Sequence, residues 1–525
     1  MTRLCLGLAI SLALGLTMAT EVFAVLTRGH ASLGVPWGHL GRVALYPPWG
    51  IVQWWGWWHH ALPPLTFVIP GALGVGLAGF AALALCRAPT LRAAQARWAS
   101  LWQLWWTGCA SRQGLVLGWC GWRLLRLGGK GHMLVVGGPD TGKTVSVLQP
   151  LLLDYPGSLF IYDPKGTLWG YTYDDGTAYD FAAYRRTLGR VVRYAPTRAD
   201  SDCYNPLAAL DVRDEAELVR QAGLLAELLL EPERERRTSD AGQHYGGHAY
   251  TLLKAELLLG AETGIATTGA KILEMHVTDW KTLVGNMQVS ELEALRVAGL
   301  EMSQWKDVRM ISGTRQTVSR ALEIFTDPLV ARMTSQSSVR MEDLRNGDQP
   351  CTVYLHVPFE DLARLRPLVR IIVHQHLLYN GVVKPWKRRL PFILEELPSL
   401  QHLGTVSEGL NFLRESGVQL VCVTPSLKEI THWYGPSHNF LESARTQLFF
   451  GISDPEVAQD ISRRIGTHSV VENGREVERP LLSATGVQQL GEDQVLLVHG
   501  RYARILTQAR FYQRPSWVRR AYVQQ

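Results

Sequence analysis

The chain reads as an α/β nucleotide-binding domain interrupted by an all-α insertion and preceded by a pair of membrane-spanning helices. Three observations predict this. The apolar stretch Met133-Leu134-Val135-Val136 runs directly into Gly137-Gly138-Pro139-Asp140-Thr141-Gly142-Lys143-Thr144, the order of strand, phosphate loop and helix that makes a P-loop. Short β-rich runs flank an interval, about Asp211 to Asn346, whose apolar residues recur at helical spacing throughout. Two apolar runs of spanning length open the chain. The boundaries that follow are 1–90 for a membrane hairpin, 91–210 for a membrane-proximal segment and the first part of the nucleotide-binding domain, 211–346 for the insertion and 347–525 for the second part.

The first run, Leu4 to Leu26, is interrupted only by Glu21, and the second is Leu65 to Leu85. Met-Thr-Arg followed by an apolar stretch also fits a cleaved signal peptide, an alternative that leaves the later topology unchanged. Arg87, Arg92, Arg97, Arg112, Arg123, Arg126 and Lys130 follow the second run, against Arg28 and Arg42 before it. Basic residues stay on the cytoplasmic side, so the bulk of the chain is expected there. The intervening loop, about Thr27 to Pro64, carries Trp37, Trp49, Trp54, Trp55, Trp57, Trp58, His59 and His60. Indoles favour the membrane interface, and adjacent histidines with no further ligand nearby make a poor metal site. No acidic residue occurs between Glu21 and Asp140. The net charge of +6 therefore arises largely in the membrane-proximal block, which suits anionic lipid headgroups before nucleic acid. Seven scattered cysteines without a CxxC pair read as reduced and structural, with no zinc site.

The P-loop supplies specific chemistry. Backbone N–H groups of Gly137, Gly138, Pro139's neighbours and Gly142 close around phosphates, Lys143 reaches their outer oxygens, and the Thr144 hydroxyl is placed to hold Mg²⁺. ATP or GTP is the expected ligand. Ser158 to Tyr162 then reads as a strand ending in Asp163-Pro164-Lys165-Gly166, which a parallel sheet sets beside the phosphate loop. Val191 to Tyr194 is a further strand, followed by Tyr204-Asn205-Pro206-Leu207. Inside the helical interval, Glu231 to Arg237 (EPERERR) alternates in sign and reads as a solvated loop.

Strands return at Thr352 to Leu355 and at Pro391 to Leu394, which ends in Glu395-Glu396. Paired carboxylates at a strand tip beside a P-loop are what phosphoryl transfer to water needs: Glu395 on the metal side and Glu396 as the base that polarises the attacking water. Val418 to Thr424 is another buried strand, followed by Tyr434-Gly435, and a last pair is expected at Val495 to Val498 and Tyr502 to Leu506.

In this order the motifs resemble those of the type IV coupling proteins, the TraG/TraD group of membrane ATPases that feed substrates into conjugation and type IV secretion channels. The resemblance runs over nearly the whole chain: two spans with a short outer loop, the phosphate loop, Asp163-Pro164-Lys165-Gly166, Tyr204-Asn205-Pro206-Leu207, the helical interval, Tyr354-Leu355-His356-Val357-Pro358, the acidic strand tip and Tyr434-Gly435. It implies a RecA-like motor domain in the bacterial inner membrane, assembled as a homo-hexamer around a channel, with the all-α insertion as a substrate-reading cap. It implies ATP and Mg²⁺ as cofactors, and a relaxase–DNA complex or protein effectors, DNA and channel components as partners. It also implies that Arg414 reaches a neighbouring subunit's γ-phosphate.

This sequence departs from the family pattern at three places. The acidic strand ends in Glu-Glu where Asp-Glu is usual, Pro425 replaces a nucleotide-sensing Gln, and Thr167 stands where an acidic residue commonly follows Lys-Gly. Proline offers neither a side-chain donor nor an N–H. Three functions are compatible with these residues: a motor delivering DNA–relaxase, the same motor delivering effectors only, and a hydrolysis-poor membrane adaptor that recruits substrates.

Overall fold

The computed structural model describes residues 2–28, 30–40, 43–47, 49–58, 71, 74, 96–172, 176–210, 212–235, 240–382, 384–472 and 475–522. The chain forms two compact units, Met1–Gln95 and Ala96–Gln525.

In the first unit the run of apolar residues becomes a helix, Thr2–Leu26, followed by a two-stranded hairpin of β1 (Gly38–Leu40) and β2 (Val43–Leu45) and a short helix, Gly50–Trp58. Glu21, the one acid in that run, accepts the Tyr46 N–H at 2.8 Å. Trp54 was expected at an interface with the other indoles. Instead it is buried against Ala24, Leu33, Tyr46 and Ile51, its indole N–H donating to the Leu33 carbonyl at 3.1 Å. No helix among the described residues is long and apolar enough to cross a membrane. The second apolar run, Leu65 to Leu85, lies outside the described residues except for Gly71 and Gly74, and His59 and His60 lie outside them too.

The second unit is built on an eleven-stranded sheet. In chain order its strands are β3 (Leu115–Cys120), β4 (Arg123–Leu127), β5 (Met133–Gly137), β6 (Leu159–Tyr162), β9 (Arg190–Tyr194), β10 (Cys351–Leu355), β11 (Leu390–Leu394), β12 (Val418–Thr424), β13 (Thr446–Phe450), β16 (Gln494–His499) and β17 (Tyr502–Thr507). Two small hairpins, β7 (Gly170–Thr172) with β8 (Ala178–Asp180) and β14 (Thr467–Glu472) with β15 (Arg475–Pro480), stand outside it. The spatial order is β4-β3-β17-β16-β13-β5-β12-β11-β6-β10-β9. From β13 to β9 neighbouring strands are parallel, and from β13 to β4 they alternate in direction.

The parallel strands are apolar on both faces because helices cover both. Leu134 and Val136 of β5 and Phe160 and Tyr162 of β6 face one core; Met133, Val135, Leu159 and Ile161, one residue out of phase, face the other. Leu148 to Leu153 of the phosphate-loop helix pack on the second face, and the long helix Phe359–Val382 on the first.

Between β9 and β10 the described chain holds helices and no strand, beginning at Glu215 and ending at Asn346. The charge run expected to be a loop is instead helical as far as Glu235, continuing Glu215–Glu235. Glu and Arg are strong helix formers, and alternating signs at close spacing favour the helix they were expected to end.

Candidate active site

Every expected site residue except Arg414 lies at the carboxyl ends of β5, β6 and β11, where open parallel sheets hold their ligands. Gly137 closes β5 against β13: a Cβ there would lie 2.7 Å from Phe450. Asp140 (φ 56) and Gly142 (φ +92) turn the loop through left-handed backbone. The helix then opens with a widened, π-type turn, Thr144–Leu148. The Lys143 ammonium donates to the carbonyls of Gly137 and Gly138, the latter at 2.6 Å. Burial lowers its pKa to about 8, helped by the nearby Lys165 cation and opposed by Glu396, Glu395 and Asp140.

Thr144 Oγ1 donates to Glu395 Oε1 at 3.1 Å, joining the P-loop to the tip of β11. Glu395 is 2% exposed, and its carboxyl is held well above the usual range by burial and by the facing Asp163 carboxyl. Asp163, also buried, spends Oδ2 on the Leu168 N–H at 2.7 Å. Glu395 Oε2 and Asp163 Oδ1 remain buried with no hydrogen-bond donor. Facing carboxyls of this kind share a proton or hold a cation. The arrangement fits Mg²⁺: two hard carboxylate donors and a hydroxyl beside a phosphate loop. No cluster of three or more His, Cys, Asp or Glu suited to a metal occurs among the described residues, and a P-loop ion does not need one.

Glu396 departs from the strand with φ 58, a left-handed backbone that a non-glycine residue adopts only under constraint. Its Oε2 pairs with Lys165 Nζ at 2.8 Å. The turn that carries Lys165 is braced from behind, since His356 Nδ1 lies 2.8 Å from the Asp163 carbonyl and a Cβ on Gly166 (φ +73) would come within 3.0 Å of the His356 ring. The motifs around Asp163 and His356 are thus two halves of one turn. Thr167, in place of the usual acid, keeps its hydroxyl buried while its carbonyl accepts from Gln149 at 3.2 Å. Pro425 follows β12 directly, ahead of the helix Leu427–Tyr434.

Arg414 is not brought to this site. It precedes β12, on the edge of the sheet where β5 and β13 also begin, about a strand's length (roughly 16 Å) from its own phosphate loop. There it lines a cleft of about 970 Å³ with Trp106, Lys130, Asn411, Arg445 and His499. Its charge, after burial, helps hold His132 neutral, with a pKa lowered to about 4.

Two residues at the phosphate loop were missed. Lys165 was visible as part of the Asp163–Gly166 motif, though nothing local pairs it with Glu396. Gln508, at the end of β17, is 2% exposed; it donates to the Thr141 carbonyl at 3.0 Å and accepts from Ser146 Oγ at 2.9 Å. A Cβ on Gly142 would sit 2.3 Å from its Oε1. No sequence signal announces this contact, because it is made across 367 positions.

A parallel sheet with a P-loop, a buried acid on the loop threonine and a helical body between β9 and β10 defines a RecA-like motor with helical parts. Residues 109–525 match the family described as Type IV secretory system Conjugative DNA transfer, and the chain belongs to that family, the coupling proteins of type IV secretion. It is similar to a conjugal transfer protein TraG of Escherichia coli, 28% identical with 98% of this chain and 92% of the relative aligned. It is also similar to VirD4 of Rhizobium radiobacter, 25% identical over 71% of this chain and 55% of the relative. Among solved structures, plasmid coupling protein TrwB in complex with the non-hydrolysable ATP analogue ADPNP superposes with a TM-score of 0.59 at 18% identity, covering 82% of this chain and 96% of that one. TrwB in complex with ADP and Mg²⁺ gives 0.57, also at 18% identity, over 79% and 94%.

Proposed function

We propose that this protein is a membrane-anchored ATPase that drives substrate, a DNA–relaxase complex in conjugation, into a type IV secretion channel. The observation that carries the reading is the meeting of Thr144, Glu395 and Asp163 beside the phosphate loop, with Glu396 at the same strand tip. The nucleotide and metal found with TrwB fit that cluster.

In the proposed reaction the loop N–H groups and Lys143 take the phosphates, Lys143 exchanging two backbone carbonyls for phosphate oxygens. Thr144 and Glu395, with Asp163 behind them, would hold Mg²⁺, whose positive charge would offset the charge that gathers on the phosphates. Glu396 accepts the proton of the attacking water. Arg414, too far from its own loop, serves the loop of the next subunit, so the unit of function is a ring, a homo-hexamer. The helical body reads the substrate. The apolar runs Leu4–Leu26 and Leu65–Leu85 and the basic residues after them support a multi-pass anchor in the bacterial inner membrane with the bulk of the chain cytoplasmic. DNA is bound without sequence preference.

The test is Lys143→Ala in a strain deleted for the parent gene. Substrate transfer is expected to fall to background while the variant still fractionates with the membrane; normal transfer would refute the motor. A specific observation favours one second reading. Pro425 removes a nucleotide-sensing contact at the tip of β12, which suits a hydrolysis-poor adaptor; an undetectable basal ATPase alongside intact substrate recruitment would select it.

A further inference from the structure

The ion pair between Lys165 and Glu396 is hard to explain as a device for stability. Its partners are 57% and 28% exposed, and solvent-screened pairs of that kind add little stability. Yet the structure around it is fixed on both sides. Lys165 sits on a turn clamped by the Leu168 N–H to Asp163 contact, by the Gly166 N–H donating to the Asp163 carbonyl at 3.3 Å, and by His356. Glu396 sits on a left-handed backbone whose strain exceeds what an exposed ion pair returns. Constraint of this kind around an exposed pair fixes where the two charges are held.

Both charges lie within electrostatic reach of the phosphate-loop lysine. Lys165 is close enough to Lys143 to disfavour its charge, and close enough to Glu395 and Asp163 for both to favour its own. The cluster therefore holds two lysines and three carboxyls, with one lysine, Lys143, engaged by the loop and the other by the expected base. A lysine is a compact charge on a flexible four-carbon stem, able to swing between acceptors a few ångströms apart while its anchor stays still.

Resting on the proposed ATPase reading, we propose that Lys165 is a second phosphate-directed cation of the hydrolytic site, exchanging Glu396 for the terminal phosphoryl oxygens as charge gathers on them. In that step water oxygen forms the new bond to the γ-phosphorus, and the bond from that phosphorus to the β,γ-bridging oxygen breaks. The bridging oxygen leaves with the electron pair on ADP, and the water proton passes to the Glu396 carboxylate that Lys165 has released. Lys165 keeps its own proton throughout. The exchange couples two events that must coincide: charge is neutralised at the phosphoryl group and the base is uncovered.

A cation that touches only the terminal phosphoryl group affects turnover and leaves diphosphate binding alone. Full-length protein in detergent or nanodiscs is assayed as parent, Lys143→Ala, Lys165→Met and Lys165→Arg, with steady-state ATPase and ADP affinity measured for each. The expected result for Lys165→Met is a fall in kcat of about tenfold or more with ADP affinity within about twofold of parent. Lys165→Arg, which keeps the charge, is expected to recover most of that loss. A kcat for Lys165→Met within about twofold of parent would overturn the inference, and so would a parallel loss of ADP affinity, which marks a distorted loop. These outcomes are separable from failure of the parent reading. If the parent hydrolyses no ATP, or Lys143→Ala hydrolyses it normally, the ATPase itself is refuted and this role with it. If the parent is active, Lys143→Ala is dead and Lys165→Met is normal, this role alone is refuted.

Discussion

Glu395 and Glu396 are adjacent in sequence and opposite in circumstance. Glu395 is buried against Asp163 and Thr144, whereas Glu396 turns outward on a left-handed backbone to a lysine. Their substitutions are expected to part accordingly. With Glu396 as the proposed base, Glu396→Gln is expected to leave ATP bound while kcat falls by about 10²-fold or more. Glu395→Gln weakens the metal side, and raises the Mg²⁺ concentration needed for half-maximal rate by about tenfold. A filter-binding assay with labelled ATP and a Mg²⁺ titration of the ATPase separate the two; identical behaviour would void the division of labour. Lys143 adds a pH dependence. Its folded pKa of about 8 lies below the lysine norm, so it is charged below that pH and neutral above it. Since the charged form takes the phosphates, binding above pH 8 must take up a proton, and ATP affinity is expected to fall by up to tenfold per pH unit there. Affinity that stays flat from pH 7.5 to 9.5 would contradict it.

At the level of elements, the phosphate loop depends on the far end of the chain. Gly142 has room only for hydrogen where Gln508 reaches in from the end of β17. Gly142→Ala is expected to cost at least tenfold in nucleotide affinity, from both the Gln508 contact and the left-handed φ of +92°. Adding Gln508→Ala relieves the first cause and not the second, so partial recovery is expected; isothermal titration with ADP measures both. None of this dependence was legible beforehand. Strands β5, β6 and β11 were, because each ends in residues whose chemistry explains the ending: the phosphate loop, Asp163 and the glutamate pair. β13 was not. Thr446–Phe450 is buried throughout, has no alternation to betray it, and ends in no motif, although it is the neighbour that makes Gly137 necessary. The hairpin of β3 and β4 was hidden by its basic, Trp-rich composition, which reads equally well as a membrane-facing segment. Conversely the acid pair was readable as a motif, while its split into one buried and one lysine-paired carboxyl depends on a backbone angle that composition does not encode.

For the whole molecule, the decisive fact is that Arg414 and the phosphate loop lie at opposite ends of neighbouring parallel strands, β12 and β5. A subunit that needs both must find one of them in a neighbour. Arg414→Ala and Lys143→Ala are therefore each expected to abolish ATPase as pure assemblies. Mixed, they create interfaces pairing an intact loop with an intact arginine and recover up to about a quarter of parent activity when interfaces form at random. Activity measured across mixing ratios checks this, and no recovery at any ratio would confine each site to its own chain.

The helical body has a further consequence that follows from how it is attached. The chain leaves β9 at Tyr194 and re-enters at Cys351, and β9 and β10 are parallel hydrogen-bonded neighbours in register from Arg190 with Cys351 to Tyr194 with Leu355. Topologically the whole body is one overgrown crossover, tethered at the nucleotide edge by its first residue and at the opposite edge by its last. A pull on that body cannot be felt at one end of the strands alone: it loads β9 and β10 at opposite ends, as shear along their shared ladder. β10 runs straight into His356, the brace behind the turn that holds Asp163 and Lys165. Force applied to the helical body would arrive, through the covalent chain, one hydrogen bond away from Asp163, the acid that faces Glu395 beside the phosphate loop.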